Sequence, residues 1–264
     1  MKVAIITGSG TYALPEFEDA RPRRVETRFG AADVTKGRFA GVEVVHVSRH
    51  GEGHMRVSNH VDHRANIAAL QELGVGAVIG CTACGAVDPE VRLGEVIVFD
   101  ELHFISNRLP DGSLCTLFDE PGGRARGHWI IGPPFSPGLR SALTVAATAA
   151  DVDCRDGGCY GHVDGPRFNT RTEIAQLAAA GVTAVSQTGG PETVLCGEAE
   201  LPYALMGFAT DYANGVTEDA TPVEELVRLM GESTARFAAI LAQALPSLDA
   251  ADIAAPGEVH RFEG

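Results

Sequence analysis

"HVDHRANIAALQELGVGAVIG", residues 60–80, holds two periodicities back to back. Val61, Ala65, Ala68, Ala69 and Leu73 recur at three- and four-residue steps, which puts them on one face of a helix over 60–73. Past Gly74 the pattern changes to "GAVIG" (76–80), a short apolar run suited to a buried strand. A helix that feeds through glycine into a buried strand is the repeating unit of an α/β protein. The same alternation extends in both directions. Strand-like runs stand at "KVAII" (2–6), "VEVVHV" (42–47), "EVIVF" (95–99), "VTAVS" (182–186) and "YALMGFA" (203–209). Helical spacing appears in "PGLRSALTVAATAADV" (137–152) and in "TRTEIAQLAAAG" (170–181), the latter ending at a glycine stop. The longest candidate, 221–245, has Pro222 in its first turn and Glu224 and Glu225 at its positive end. The pattern predicts one α/β domain with a mostly parallel or mixed central sheet flanked by helices. It spans 1–250, with a loosely ordered tail over 251–264. Residues 103–135, rich in Gly and Pro, read as a long irregular excursion, a kind of segment usually tied to function or an interface.

Composition narrows the partners. The net charge of −14 excludes a basic face that coats nucleic acid or anionic lipid, so an anionic ligand has to be caught by a few placed groups. No run approaches the roughly 18 apolar residues of a membrane span. The five-residue apolar stretch in "MKVAIITGSG" is too short for a secretion signal, which leads us to expect a cytoplasmic protein. Six cysteines include the C-x-x-C of "CTAC" (81–84), a spacing shared by zinc knuckles and redox pairs. No second pair stands at a complementary spacing, and the motif follows a strand. Small buried residues are the better reading.

Several strand ends carry groups that suit an anion. "TGSGTYA" fits the loose fingerprint G-x-G-x-x-A at Gly8, Gly10 and Ala13, but Pro15 and Pro22 bar the helix of a dinucleotide-binding unit. What remains is a tight turn with exposed N–H groups and the Ser9 hydroxyl, fit for one phosphate-sized anion. Arg49 and His50 follow the next apolar run and supply further donors. "CTACGAV" offers small residues for close backbone approach, and "SQTGGPETV" offers Thr188 and two glycines before a helix. In sheets of this class, ligands bind beyond strand ends. In "VDGPRFNTRTE" (163–173), Pro166 enforces an extended approach and Thr170 reads as a helix cap. Asp211 ends an apolar run where a carboxylate is costly to bury, so it is either a turn residue or a working acid.

Taken in order, "GSG", "SRHGEGH", "HRANI", "TACGAV", "DGPRFNTRTE", "GPETVL" and "FATDYAN" resemble the trimeric purine nucleoside phosphorylases, and within them the S-methyl-5′-thioadenosine phosphorylases. The resemblance covers about residues 2–245. It implies a distorted, barrel-like mixed sheet flanked by helices, and a homotrimer or dimer of trimers with sites at subunit boundaries. Residues 103–135 would then reach a neighbour's site. It implies phosphate held by Ser9, Arg49, His50, the backbone at Ala83, and Thr188. The purine would meet Phe168, Asn169 and Asp211, the ribose Gln187 and Thr82, and the 5′ end His54. It implies no metal and no organic cofactor, with inorganic phosphate as co-substrate. Asp211 would then be the catalytic acid that protonates the leaving purine.

Three positions depart from the family pattern. Gln187 stands where the methylthioadenosine enzymes commonly carry Met, so an amide could reach a ribose hydroxyl or reshape the pocket. The family's "TDYD" is here "TDYA", with Ala213 in place of a second acid. Asn169, which both donates and accepts, fits either a 6-amino or a 6-oxo purine. Asp211 favours the 6-amino base, and Val223 and Leu226 suit a thioether at the 5′ end. The expected substrate is therefore S-methyl-5′-thioadenosine. The alternative is a 6-oxopurine nucleoside such as 5′-methylthioinosine, inosine or guanosine. A hydrolytic nucleosidase and a non-catalytic nucleoside binder remain as further classes.

Overall fold

A computed structural model describes residues 1–123 and 126–262. Its centre is β1 (Val3–Thr7), five buried residues whose side chains alternate between two cores. Ala4 and Ile6 point to one face of the sheet and Val3 and Ile5 to the other, the two-residue period of a strand covered on both sides. β2 (Glu18–Thr27) and β3 (Gly30–Phe39) form an antiparallel hairpin, and β4 (Val42–Ser48) joins it to β1. The sequence reading missed this hairpin because β2 buries only Val25 and shows no apolar alternation. It is an edge strand, which is why Pro22 is tolerated within it.

The remaining strands are β5 (Ala77–Ala86), β6 (Val96–Val98), β7 (Glu101–His103), β8 (Gly127–Ile130), β9 (Cys154–Asp156), β10 (Cys159–His162), β11 (Val182–Ser186), β12 (Tyr203–Tyr212) and β13 (Glu258–Arg261). β5 is where the eleven-stranded mixed sheet branches. It runs parallel to β1 and β12 and meets β11 antiparallel at its far end. The sequence reading placed "TACGAV" after the strand, whereas β5 runs on to Ala86 and most of the motif lies inside it.

Helices cover both faces. α1 (His63–Glu72) and α4 (Gly189–Glu198) pack Ile67, Leu70, Leu195 and Cys196 against the face that carries Ala4 and Ile6. α2 (Pro137–Ala149) and α5 (Val223–Ala244) bring Leu139, Leu143, Phe237 and Ile240 to the opposite face. α3 (Arg171–Ala179) closes a third, smaller core through Ile174, and Thr170 caps it in a reciprocal box with Glu173.

The excursion after β7 has little regular structure but is tied down, since Thr116 donates to the Glu198 carboxylate at 2.9 Å. The tail corrects expectation. Residues 258–261 form β13, which pairs antiparallel with β8. Nearby, Trp129 of β8 donates from Nε1 to the Pro256 carbonyl at 2.8 Å. Its ring fills the space over α4 where Gly197 lacks a side chain; a Cβ there would stand 2.2 Å from the indole. Among the described residues, no helix is long and apolar enough to cross a membrane.

Candidate active site

The ends of β1, β4 and β12, the outer half of β5, and the loops around β11 enclose a cavity of about 280 Å³. Its floor starts at the turn after β1. Gly10 has a φ of +85°, and a Cβ on it would lie 2.6 Å from the Met230 carbonyl of α5. Only glycine allows that approach, which Thr234 secures by donating to the Gly10 carbonyl at 2.8 Å. The turn presents Ser9 to the cavity, and α5 adds Leu226 and Met230.

Arg49 stands one layer behind. It is 1% exposed and does not line the cavity, contrary to the expected direct placement. Nε and Nη2 donate to the two oxygens of Glu192 at 2.6 and 2.9 Å, Nη1 donates to the Cys81 carbonyl at 2.7 Å, and Tyr203 adds its hydroxyl to Glu192 at 2.9 Å. Burial opposes the guanidinium charge, but the Glu192 carboxylate more than offsets it and holds the pKa above the ordinary value. Nη1 sits beneath Gly8, where a Cβ would come within 2.4 Å of it.

His50 lines the cavity, stacked on His54 with ring centroids 4.3 Å apart. Its Nδ1 lies 2.8 Å from the Arg56 carbonyl, which can only accept, so Nδ1 carries the hydrogen. Burial, then Arg49, lowers its pKa to about 4, so the imidazole is neutral at pH 7. His54 is hydrogen-bonded through Nδ1 to the Tyr12 hydroxyl at 2.9 Å. Thr188 lies at the N-terminal cap of α4, almost wholly buried, and reaches the same end of the cavity as Ser9 and His50.

At the opposite end is Asp211. The pairing of β12 with β5 slips by one residue between Ala209 and Asp211, so that Thr210 is an extra residue in the strand. Such bulges re-aim side chains, and here the carboxyl turns into the cavity beside Gly85, where a Cβ would stand 3.3 Å from Oδ2. Burial raises the Asp211 pKa, opposed by a hydrogen bond from Thr210 to Oδ1 at 2.8 Å. Asn169 and Phe168 enter from the loop before α3, Ala83 and Thr82 from β5, and Ala213 from the end of β12. Thr82 is hydrogen-bonded to Ser186 at 2.9 Å.

Val223 is the second displaced residue. It is 71% exposed and lies outside the lining; Met230, two turns further along α5, takes the apolar position beside Leu226. Sequence reasoning also passed over Asn214, Ser58 and Ile174, which line the cavity. Asn214 donates to the Asn169 carbonyl at 2.7 Å and so fixes the loop that carries Asn169. The offset of Met230 from Leu226 within one helix was the available signal for that residue. All six cysteines are free thiols, and Cys81 and Cys84 lie buried in β5. Among the described residues, no group of three or more His, Cys, Asp or Glu side chains is arranged to hold a metal ion.

The arrangement sets Ser9, His50 and Thr188 at one end and the Asp211 carboxyl at the other, separated by small and apolar residues. Known proteins share its frame. The Phosphorylase superfamily matches residues 2–246. A probable 6-oxopurine nucleoside phosphorylase of Thermococcus kodakarensis is 34% identical over 249 residues, covering 92% of this chain and 91% of that protein. A probable S-methyl-5′-thioinosine phosphorylase of Xylella fastidiosa is 35% identical over 220 residues, covering 83% and 91%. Among solved structures, the methylthioadenosine phosphorylase of Schistosoma mansoni in complex with adenine superposes with a TM-score of 0.85 at 27% identity, covering 94% of this chain and 93% of that one. On its sequence, its sheet and the layout of its cavity, this chain belongs to the phosphorylase superfamily.

Proposed function

We propose that this protein is a purine nucleoside phosphorylase, acting on 5′-methylthio purine nucleosides. Phosphate binds against Ser9, Thr188 and the backbone at Ala83, its P–OH donating to the unprotonated Nε2 of His50, with the Arg49 charge one layer behind, beneath Gly8. The purine lies between Phe168, Asn169 and Asp211, and the ribose crosses the middle of the cavity. A phosphate oxygen attacks C1′ as the C1′–N9 bond breaks, and the bonding pair leaves with the purine. Asp211 delivers its proton to N7, so the base departs neutral and the sugar remains as its 1-phosphate. The single observation that carries this reading is Asp211, a carboxyl with a raised pKa that a bulge aims into a cavity whose other end is built for an anion.

The thioether preference is supported by Leu226 and Met230, which offer an apolar wall and no partner for a 5′-hydroxyl. For the base, Asp211 suits a 6-amino group. A second reading, a 6-oxopurine, is favoured by Ala213, which removes an acceptor from the 6-position wall, and by the names of the Thermococcus and Xylella relatives. Trimeric assembly is supported by the apolar Ile105 and Leu114, exposed on the excursion. We place the enzyme in the cytoplasm, in purine and methionine salvage.

The test is release of free base from methylthioadenosine, methylthioinosine, adenosine and inosine, with and without phosphate, read by chromatography. Release that depends on phosphate and is fastest for a methylthio nucleoside is expected. Equal release without phosphate would identify a hydrolase. Faster turnover of methylthioinosine than methylthioadenosine would establish the 6-oxopurine reading.

A further inference from the structure

Gln187 makes no use of its amide inside the cavity it lines. Oε1 accepts from the Ser58 hydroxyl at 2.7 Å, and Nε2 donates to the Arg167 carbonyl at 3.1 Å. Three chain segments with no shared secondary structure meet in these two bonds. Ser58 opens the short 3-10 turn Ser58–His60, Arg167 lies in the loop between β10 and α3, and Gln187 joins β11 to α4. The amide passes through space that only a glycine leaves open. A Cβ on Gly165 would stand 2.0 Å from Oε1 and 2.2 Å from the Ser58 hydroxyl oxygen.

Each of these segments supplies a cavity wall: Val57 and Ser58 from the first, Phe168 and Asn169 from the second, Thr188 from the third. The loop that carries Phe168 is poorly held by packing, since that ring is 66% exposed. Polar ties hold it instead. Asn214 pins its far end at the Asn169 carbonyl, and Gln187 pins its near end at Arg167. We propose that Gln187 is a positioning residue: its amide straps the purine-side loop to the Ser58 turn and so sets the width of the nucleoside half of the cavity. The kinetic consequences assume the phosphorolytic reading above, whereas the strap itself does not.

Losing one such hydrogen-bonded tie is expected to raise the nucleoside KM about fivefold to tenfold. Gln187→Leu and Ser58→Ala should each do so while leaving kcat and the phosphate KM within about twofold. The double variant should be no worse than the worse single one, because both break one connection. Ser58→Thr, which keeps the hydroxyl, should restore the KM. In the ligand-free protein, amide hydrogen exchange over 163–170 should quicken in both single variants. Unchanged exchange there would overturn the strap. So would a nucleoside KM raised by Gln187→Leu but not by Ser58→Ala, with the loss vanishing on 2′,3′-dideoxy nucleosides, since Gln187 would then act on the sugar directly. If the unaltered protein releases no base with phosphate, the functional reading fails, and the exchange comparison still decides the strap.

Discussion

Asp211 shows at the scale of one residue how function and stability pull apart. Its carboxyl is desolvated, so folding raises its pKa and favours the neutral form. A group whose folded pKa lies above its unfolded value contributes stability that is complete below the unfolded value. That contribution is lost as pH rises through the folded one. At neutral pH the buried carboxyl is thus a liability, which an amide of the same shape would remove. Asp211→Asn should therefore melt at or above the temperature of the unaltered protein at pH 7, and the two should converge in acid. The same variant should lose about 100- to 10,000-fold in kcat on a 6-aminopurine nucleoside, because an amide can donate to N7 but cannot hand over a proton. Calorimetry and steady-state rates on one preparation check both. A variant of lower stability with full activity would return Asp211 to a purely structural role.

Among the elements, α4 does the most to hold the site in place. Its N-terminal cap brings Thr188 to the cavity, its first turn carries Glu192 to Arg49, and Glu198 near its end anchors the excursion. The Arg49–Glu192 pair is buried on both sides, and breaking such a pair from one partner typically costs about 3–5 kcal/mol because the other charge is stranded. Glu192→Ala should lower stability by about that amount in denaturant melts and raise the phosphate KM, although Glu192 is outside the cavity lining. A loss confined to stability would mean that Arg49 does not serve the anion. The sequence displayed Arg49 beside His50 and suggested equal roles. It could not display the pair with Glu192, 143 residues away, that draws the guanidinium one layer back.

Over the whole molecule, the legible part was whatever burial imprints as periodicity. β1, β5, β11 and β12 and the helices that cover them announced themselves because each hides one or both faces in a core. The β2–β3 hairpin did not, since an exposed edge leaves no apolar period. β13 did not either, being four residues that bury only Val259. In the site, residues at strand ends could be read directly from sequence, whereas Met230, which reaches in from mid-helix, was legible only through its four-residue offset from Leu226.

The molecule also encloses a set of imidazoles. His46 and His50 are depressed to about 4 and His162 to about 3, and His63 lies well below its ordinary range, in every case first by burial. For such groups the unfolded state binds the proton more readily. Their stabilisation is present above the ordinary imidazole value of 6.5 and is lost as pH falls toward 4 and 3. His46 alone would surrender on the order of 3 kcal/mol by pH 4. The melting temperature should fall steeply between pH 6.5 and 4, with proton uptake on unfolding. A flat profile across that window would contradict the burial of these rings.

Trp129 is the chain's one tryptophan, which gives the protein a single indole fluorophore with a known address. The indole sits at the seam where α4, β8 and the tail meet, its N–H committed to Pro256 and its ring pressed over Gly197. Its emission therefore reports on that seam and on nothing else in the molecule. A ligand that fills the cavity while α4 stays still will leave the indole emission unchanged, and one that shifts α4 will announce itself without a label.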